Sequence, residues 1–217
     1  MKTDSQLQRD VLDELEWDPR VRNAEIGVSV KEGVVTLTGT VDSYAQRTCA
    51  ERAVERVGGV RVVAEELKVR LPGVFQRTDT DIAHAVANAL RWDVEVPDDK
   101  VKARVENGWV WLDGEVEWQY QRQAAERAVR YLTGVKGVTN AVLIKSRAST
   151  YDVATHIKDA LRRSAEADAG RIHVETTDGR VTLTGSVRSF AERQDAERAA
   201  WAADGVTAVD DRLVVRV

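Results

Sequence analysis

Gly33-Val-Val-Thr-Leu-Thr-Gly39 is written again as Gly108-Trp-Val-Trp-Leu-Asp-Gly114 and as Gly179-Arg-Val-Thr-Leu-Thr-Gly185. Gly39, Gly114 and Gly185 stand 75 and 71 residues apart, and the flanks keep those offsets. Ala50-Glu51-Arg52-Ala53 returns as Ala125-Glu126-Arg127-Ala128 and Ala196-Glu197-Arg198-Ala199; Gly59-Val60 returns as Gly134-Val135 and Gly205-Val206. Such a period means tandem domains, expected over 1–71, 72–147 and 148–217. Each holds ~70 residues, near the lower limit for an unstapled core, so docking between units is expected. Pro72-Gly73 and Ser146-Arg-Ala-Ser-Thr150 read as short linkers.

Working outward, each unit opens with a helical apolar spacing: Leu7, Val11, Leu12 and Leu15; Ile82, Val86, Ala87 and Leu90; Val153, Ile157 and Leu161. Asp4, Asp79 or Asp81, and Asp152 are placed to cap the amides at the helix starts. Two strands of alternating pattern follow, joined through Lys31-Glu-Gly33, Glu106-Asn-Gly108 and Thr177-Asp-Gly179, and these read as antiparallel hairpins. Leu37, Leu112 and Leu183 share the inward parity. Gly39, Gly114 and Gly185 close the second strands, where a positive φ or a close backbone approach at the strand-to-helix turn is expected.

A second, alanine-rich helix comes next, carrying Ala50, Ala53 and Val54 and their equivalents, and Gly59, Gly134 and Gly205 suit its C-cap. A third strand runs through Leu67 and Val69, Val142 and Ile144, Leu213 and Val215. The fold class is therefore α+β: three tandem two-layer αββαβ sandwiches, each with two helices on one face of a three-stranded mixed sheet.

Composition excludes several functions. The net charge is −4 with Lys and Arg interleaved among Asp and Glu, which argues against a nucleic-acid partner. No apolar run approaches the ~20 residues that span a bilayer. The amino terminus lacks an apolar leader, so the expected location is the cytoplasm. Cys49 is the only cysteine and reads as a half-buried filler in the second helix. His84, His156 and His173 fall at unrelated places, no zinc spacing occurs and no phosphate loop is present. The Glu-Arg pairs at 51/52, 126/127 and 197/198 read as surface ion pairs. No enzyme and no cofactor are expected.

The element order, the strand ending in glycine, the Ala-Glu-Arg-Ala helix and the Gly-Val then Leu-x-Val closing strand resemble the BON domain, named for bacterial osmotically inducible and nodulation proteins. The resemblance covers nearly the whole chain in three copies. It implies a non-enzymatic module, often tied to osmotic stress, whose partner is phospholipid or a membrane surface. The family's glycine would correspond to Gly39, Gly114 and Gly185.

The aromatic residues give the candidate surfaces. Trp17 and Trp92 end the first helices of two units and read as core rim. Trp109 and Trp111 have the parity opposite to Val110 and Leu112, so both indoles and Leu143 are expected on the open face of the middle sheet. Three occupants of that face stay open: another unit of the chain, a second copy in a homo-oligomer, or lipid or another ligand. Trp118, Tyr120 and Arg122, at the start of the middle unit's second helix, read either as helix-start packing or as a headgroup contact. The alternative to lipid binding is a self-associating scaffold assembled through exposed sheet faces.

Overall fold

A computed structural model describes residues 2–21, 25–145, 153–163 and 170–216. The first unit is built from α1 (Asp4–Trp17), β1 (Glu25–Lys31), β2 (Val34–Val41), α2 (Tyr44–Glu55) and β3 (Val62–Val69). The second runs α3 (Asp79–Trp92), β4 (Val101–Glu106), β5 (Trp109–Val116), α4 (Gln119–Arg130), β6 (Gly137–Asn140) and β7 (Leu143–Ile144). The third comprises α5 (Val153–Arg163), β8 (Ile172–Thr177), β9 (Arg180–Val187), α6 (Phe190–Trp201) and β10 (Ala208–Val215). Between the first two units a 3₁₀ turn, Gly73–Phe75, follows Pro72. The second linker and Asp152 lie outside the described residues.

In each sheet the second hairpin strand is central. It pairs antiparallel with the strand before it and parallel with the strand after the second helix. The helical crossover produces that parallel return, because a tight turn cannot reverse direction twice. Leu37, Leu112 and Leu183 are completely buried under the helices. The first-helix stripe is narrower than the spacing predicts. Leu7, Val11 and Leu15, and Ile82, Val86 and Leu90, are buried, whereas Leu12 and Ala87 are exposed. Each lies ~100° around the helix from the buried residue before it, beyond the sheet's reach. Cys49 is buried in the first core.

The hairpin turns put two residues in succession at positive φ: Glu32 and Gly33, Asn107 and Gly108, Asp178 and Gly179. This is the twist-matched two-residue hairpin turn. Asp4 and Asp79, expected to cap their own helices, reach across to these turns instead. Asp79 accepts from the amides of Asn107 and Gly108 at 2.7 and 2.8 Å, and Asp4 accepts from those of Glu32 and Gly33. The helix starts are capped by Thr3 with Gln6 and by Thr78 with Asp81. One acidic side chain thus ties the first helix of the first and of the middle unit to a hairpin 28 residues downstream.

Gly39, Gly114 and Gly185 lie inside the central strands, two residues before their ends, rather than at the strand-to-helix turn. Continued parallel pairing, Thr40 with Lys68 and Val41 with Val69, keeps the strand going. The middle unit departs from its neighbours here: its third strand is split into β6 and β7 around Ala141 and Val142. The ladder bridges the split through the Ala141 amide, which donates to the Leu112 carbonyl at 2.8 Å.

A polar lock closes the end of α1. Asp18 is buried and accepts from the Arg20 amide, from Arg20 Nε and Nη2 at 2.9 and 2.6 Å, and from Arg56 Nη2 at 3.3 Å. The Arg20 hydrogen bonds hold its carboxyl well below the usual carboxylate range.

Candidate functional site

Trp17 and Trp92 occupy equivalent positions and are 83% and 86% exposed, so the core-rim reading is overturned. Each lies two residues past the last buried position, Leu15 or Leu90, a rotation of ~200° that points the indole away from the sheet. Val94, two residues beyond Trp92, is 99% exposed. Solitary exposed apolar residues are ordinary, but two tryptophans repeated at one structural position are a distinct feature.

Trp109 and Trp111 are half-buried on the open face of the middle sheet, with ring centroids 6.3 Å apart and planes tilted by 43°. The Trp109 Nε1 donates to Thr139 Oγ1 at 2.9 Å, and the Arg104 guanidinium lies 4.3 Å from the Trp111 ring centre. Leu143 is 63% exposed and pairs with Glu115, further along the same face. A groove of about 640 Å³ runs beside the indoles, and Arg47, Leu67, Lys68 and Val69 of the first unit form its other wall. The two tryptophans therefore stand next to a neighbouring unit, while Leu143 does not line that groove.

Trp118, Tyr120 and Arg122 do not form one surface. Trp118 is half-buried at the N-cap of α4, its amide donating to Gln121 Oε1 at 3.1 Å. Tyr120 is exposed. Arg122 is half-buried, and its Nη2 donates to the Asn140 carbonyl at 3.1 Å. The equivalent arginines, Arg47 and Arg193, pair with Glu65 and Asp211. Asn140 replaces that acid in the middle unit, and Arg122 Nε is left buried without a partner.

The second helices build a seam between units. Tyr44, the first residue of α2, packs against the core of the middle unit. Phe190, at the equivalent place in α6, packs against the cores of both the first and third units. Gln194 Nε2 donates to Glu55 Oε2 across 3.0 Å. The Glu-Arg neighbours do not pair with each other. Glu126 pairs with Arg130, and Glu197 accepts from Trp201 Nε1 at 3.2 Å. Arg127 reaches Glu95 and Arg198 reaches Asp195. The ~100° between adjacent helix positions sends the glutamates toward half-buried surroundings and the arginines outward.

The sequence pattern of the BON domain matches residues 3–70, 78–146 and 150–217. The chain belongs to the BON domain family. Among curated BON relatives it is 33% identical over 129 residues to osmotically-inducible protein Y of Escherichia coli, a match covering 58% of this chain and 64% of that protein. Solved structures resemble it distantly. CdsD, a structural protein of the type III secretion system of Chlamydia trachomatis, is 17% identical over 96% of this chain and 91% of that one, with a TM-score of 0.26. The PrgH periplasmic domain is 10% identical over 95% of this chain and all of that one, with a TM-score of 0.22. Superposition at these scores is too loose to bear on this molecule.

The repeated glycine has a clear physical duty in all three copies. At Gly39, Gly114 and Gly185 φ is 117°, 138° and 121°, and an added β-carbon would collide with the carbonyl oxygen of Glu25, Lys100 or Arg171, at or just before the start of the facing strand. His84, His156 and His173 are exposed and scattered. Among the described residues no group of three or more His, Cys, Asp or Glu could hold a metal ion, and no helix is long and apolar enough to cross a membrane.

Proposed function

We propose that the chain is a non-catalytic, stress-related BON protein that attaches to phospholipid surfaces through the aromatic ends of its first helices. The equivalent exposure of Trp17 and Trp92 carries this reading, with Val94 beside the second. Indole rings favour the headgroup boundary, where their apolar body and N–H are both accommodated. The net charge of −4 removes long-range attraction to anionic lipid as the main force, so attachment rests on shallow aromatic insertion. The stress assignment follows the relative named for osmotic induction.

Vesicles of phosphatidylglycerol and phosphatidylcholine test it. They should blue-shift tryptophan emission and sediment the protein, and Trp17→Ala with Trp92→Ala should abolish both effects. Dependence on Trp118→Ala instead would move the contact to the start of α4. Fractionation of cells producing the chain tests the cytoplasmic reading, which recovery in the envelope extract would replace.

A scaffold assembled through open sheet faces is the second reading. Leu143 and its equivalent Val214 favour it, since both are exposed on those faces. A mass above the monomer by light scattering, lowered by Leu143→Ser, would put it ahead.

A further inference from the structure

Glu51 and Glu55 stand one turn apart on the face of α2 that meets the other two units. Carboxylates at that spacing repel each other, and both side chains are half-buried. The cations around them are already engaged. Arg47 pairs with Glu65, Arg130 of the middle unit with Glu126, and Arg193 of the third unit with Asp211. Arg52, next along α2, projects into solvent. Among the described residues Glu51 makes no ion pair or hydrogen bond, and Glu55 has only the neutral amide of Gln194. Glu65 adds a third carboxylate near Glu51, and Glu126 a fourth, facing Tyr44 from across the seam.

We propose that this seam is a proton-controlled joint, closed while Glu51 and Glu55 carry protons and loosened when both ionise. Two half-buried negative charges without a direct ion pair, feeling Arg47, Arg52, Arg130 and Arg193 only at longer range, cost free energy that undocking returns, because water then solvates each carboxylate. The titration runs in the same direction. Burial, and after it the carboxylate of Glu65 or Glu51, pushes the Glu51 and Glu55 carboxyls above the ordinary range. An undocked glutamate returns to the ordinary range, so the docked form holds more protons in the window between. Docking support is complete below the undocked value and is lost as pH rises through the docked one. Opening would uncover the apolar faces of Tyr44 and Phe190, which the closed seam packs away.

Small-angle scattering of the whole chain at about pH 4.5, 6 and 8 spans this window. The radius of gyration should rise with pH while the mass stays monomeric. Glu51→Gln with Glu55→Gln should remain compact throughout, and circular dichroism should show its units still folded. Gln194→Glu, which places another carboxylate against Glu55, should shift the opening to lower pH. A radius that does not change with pH, or that rises equally in the double glutamine variant, overturns the proposal.

Discussion

The carbonyl oxygen of Glu25 fills the space that a β-carbon on Gly39 would need. The same pairing recurs between Lys100 and Gly114 and between Arg171 and Gly185, each at a φ that side chains rarely adopt. Gly114→Ala should therefore destabilise the middle unit by about 2–4 kcal/mol, combining backbone strain with separation of the hairpin strands. Urea unfolding checks this. A change below about 0.5 kcal/mol would show that the hairpin relaxes around the new methyl group.

Leu112 is completely buried between the middle sheet and its helices. Leu112→Ala should cost roughly 2–5 kcal/mol, the range for removing a leucine side chain from a core that collapses only in part. An unchanged unfolding midpoint would contradict the face assignment.

Asp18 gives stability a definite acid limb. Its carboxyl is depressed by the hydrogen bonds from Arg20, so its contribution is present above the ordinary carboxylate range and is lost as pH falls through the lower native value. Asp18→Asn should lower stability at neutral pH and flatten the fall toward acid, seen as unfolding midpoints across pH. A variant that keeps the parent's acid slope would assign that slope to other carboxylates.

The six tryptophans should divide by environment. Trp17 and Trp92 are bare, whereas Trp109, Trp111, Trp118 and Trp201 are half-buried. Acrylamide should quench a large, readily accessible fraction of the emission, and Trp17→Ala with Trp92→Ala should remove that fraction. Equal quenching in parent and variant would place the exposed indoles elsewhere.

The repeat made the element order, the buried leucines and the glycine positions legible, because each was written three times at one parity. Contacts across elements were not. Asp4 and Asp79 stand where a helix cap belongs, and nothing local reveals that a turn 28 residues away competes for them. Trp17 and Trp92 read as core rim from their place at the helix ends, but helix phase counted from Leu15 and Leu90 turns both indoles outward. The seam had a faint signal. The residue opening the second helix is Tyr44, Gln119 or Phe190, and two aromatics at an otherwise polar site mark a buried contact. Which unit receives each ring depends on docking, which no single repeat encodes.

The indole of Trp109 lies across Gly137, and a β-carbon there would come within 2.5 Å of the ring. The first and third units carry Val62 and Ala208 at that place, opposite Val34 and Arg180. With the indole in this pose, neither valine nor alanine at 137 has room. If the copies arose by duplication, the smaller residue had to arrive before the larger one, or the ring had to take another rotamer until it did. Placing valine or alanine at 137 alone would therefore drive the Trp109 indole out of this pose.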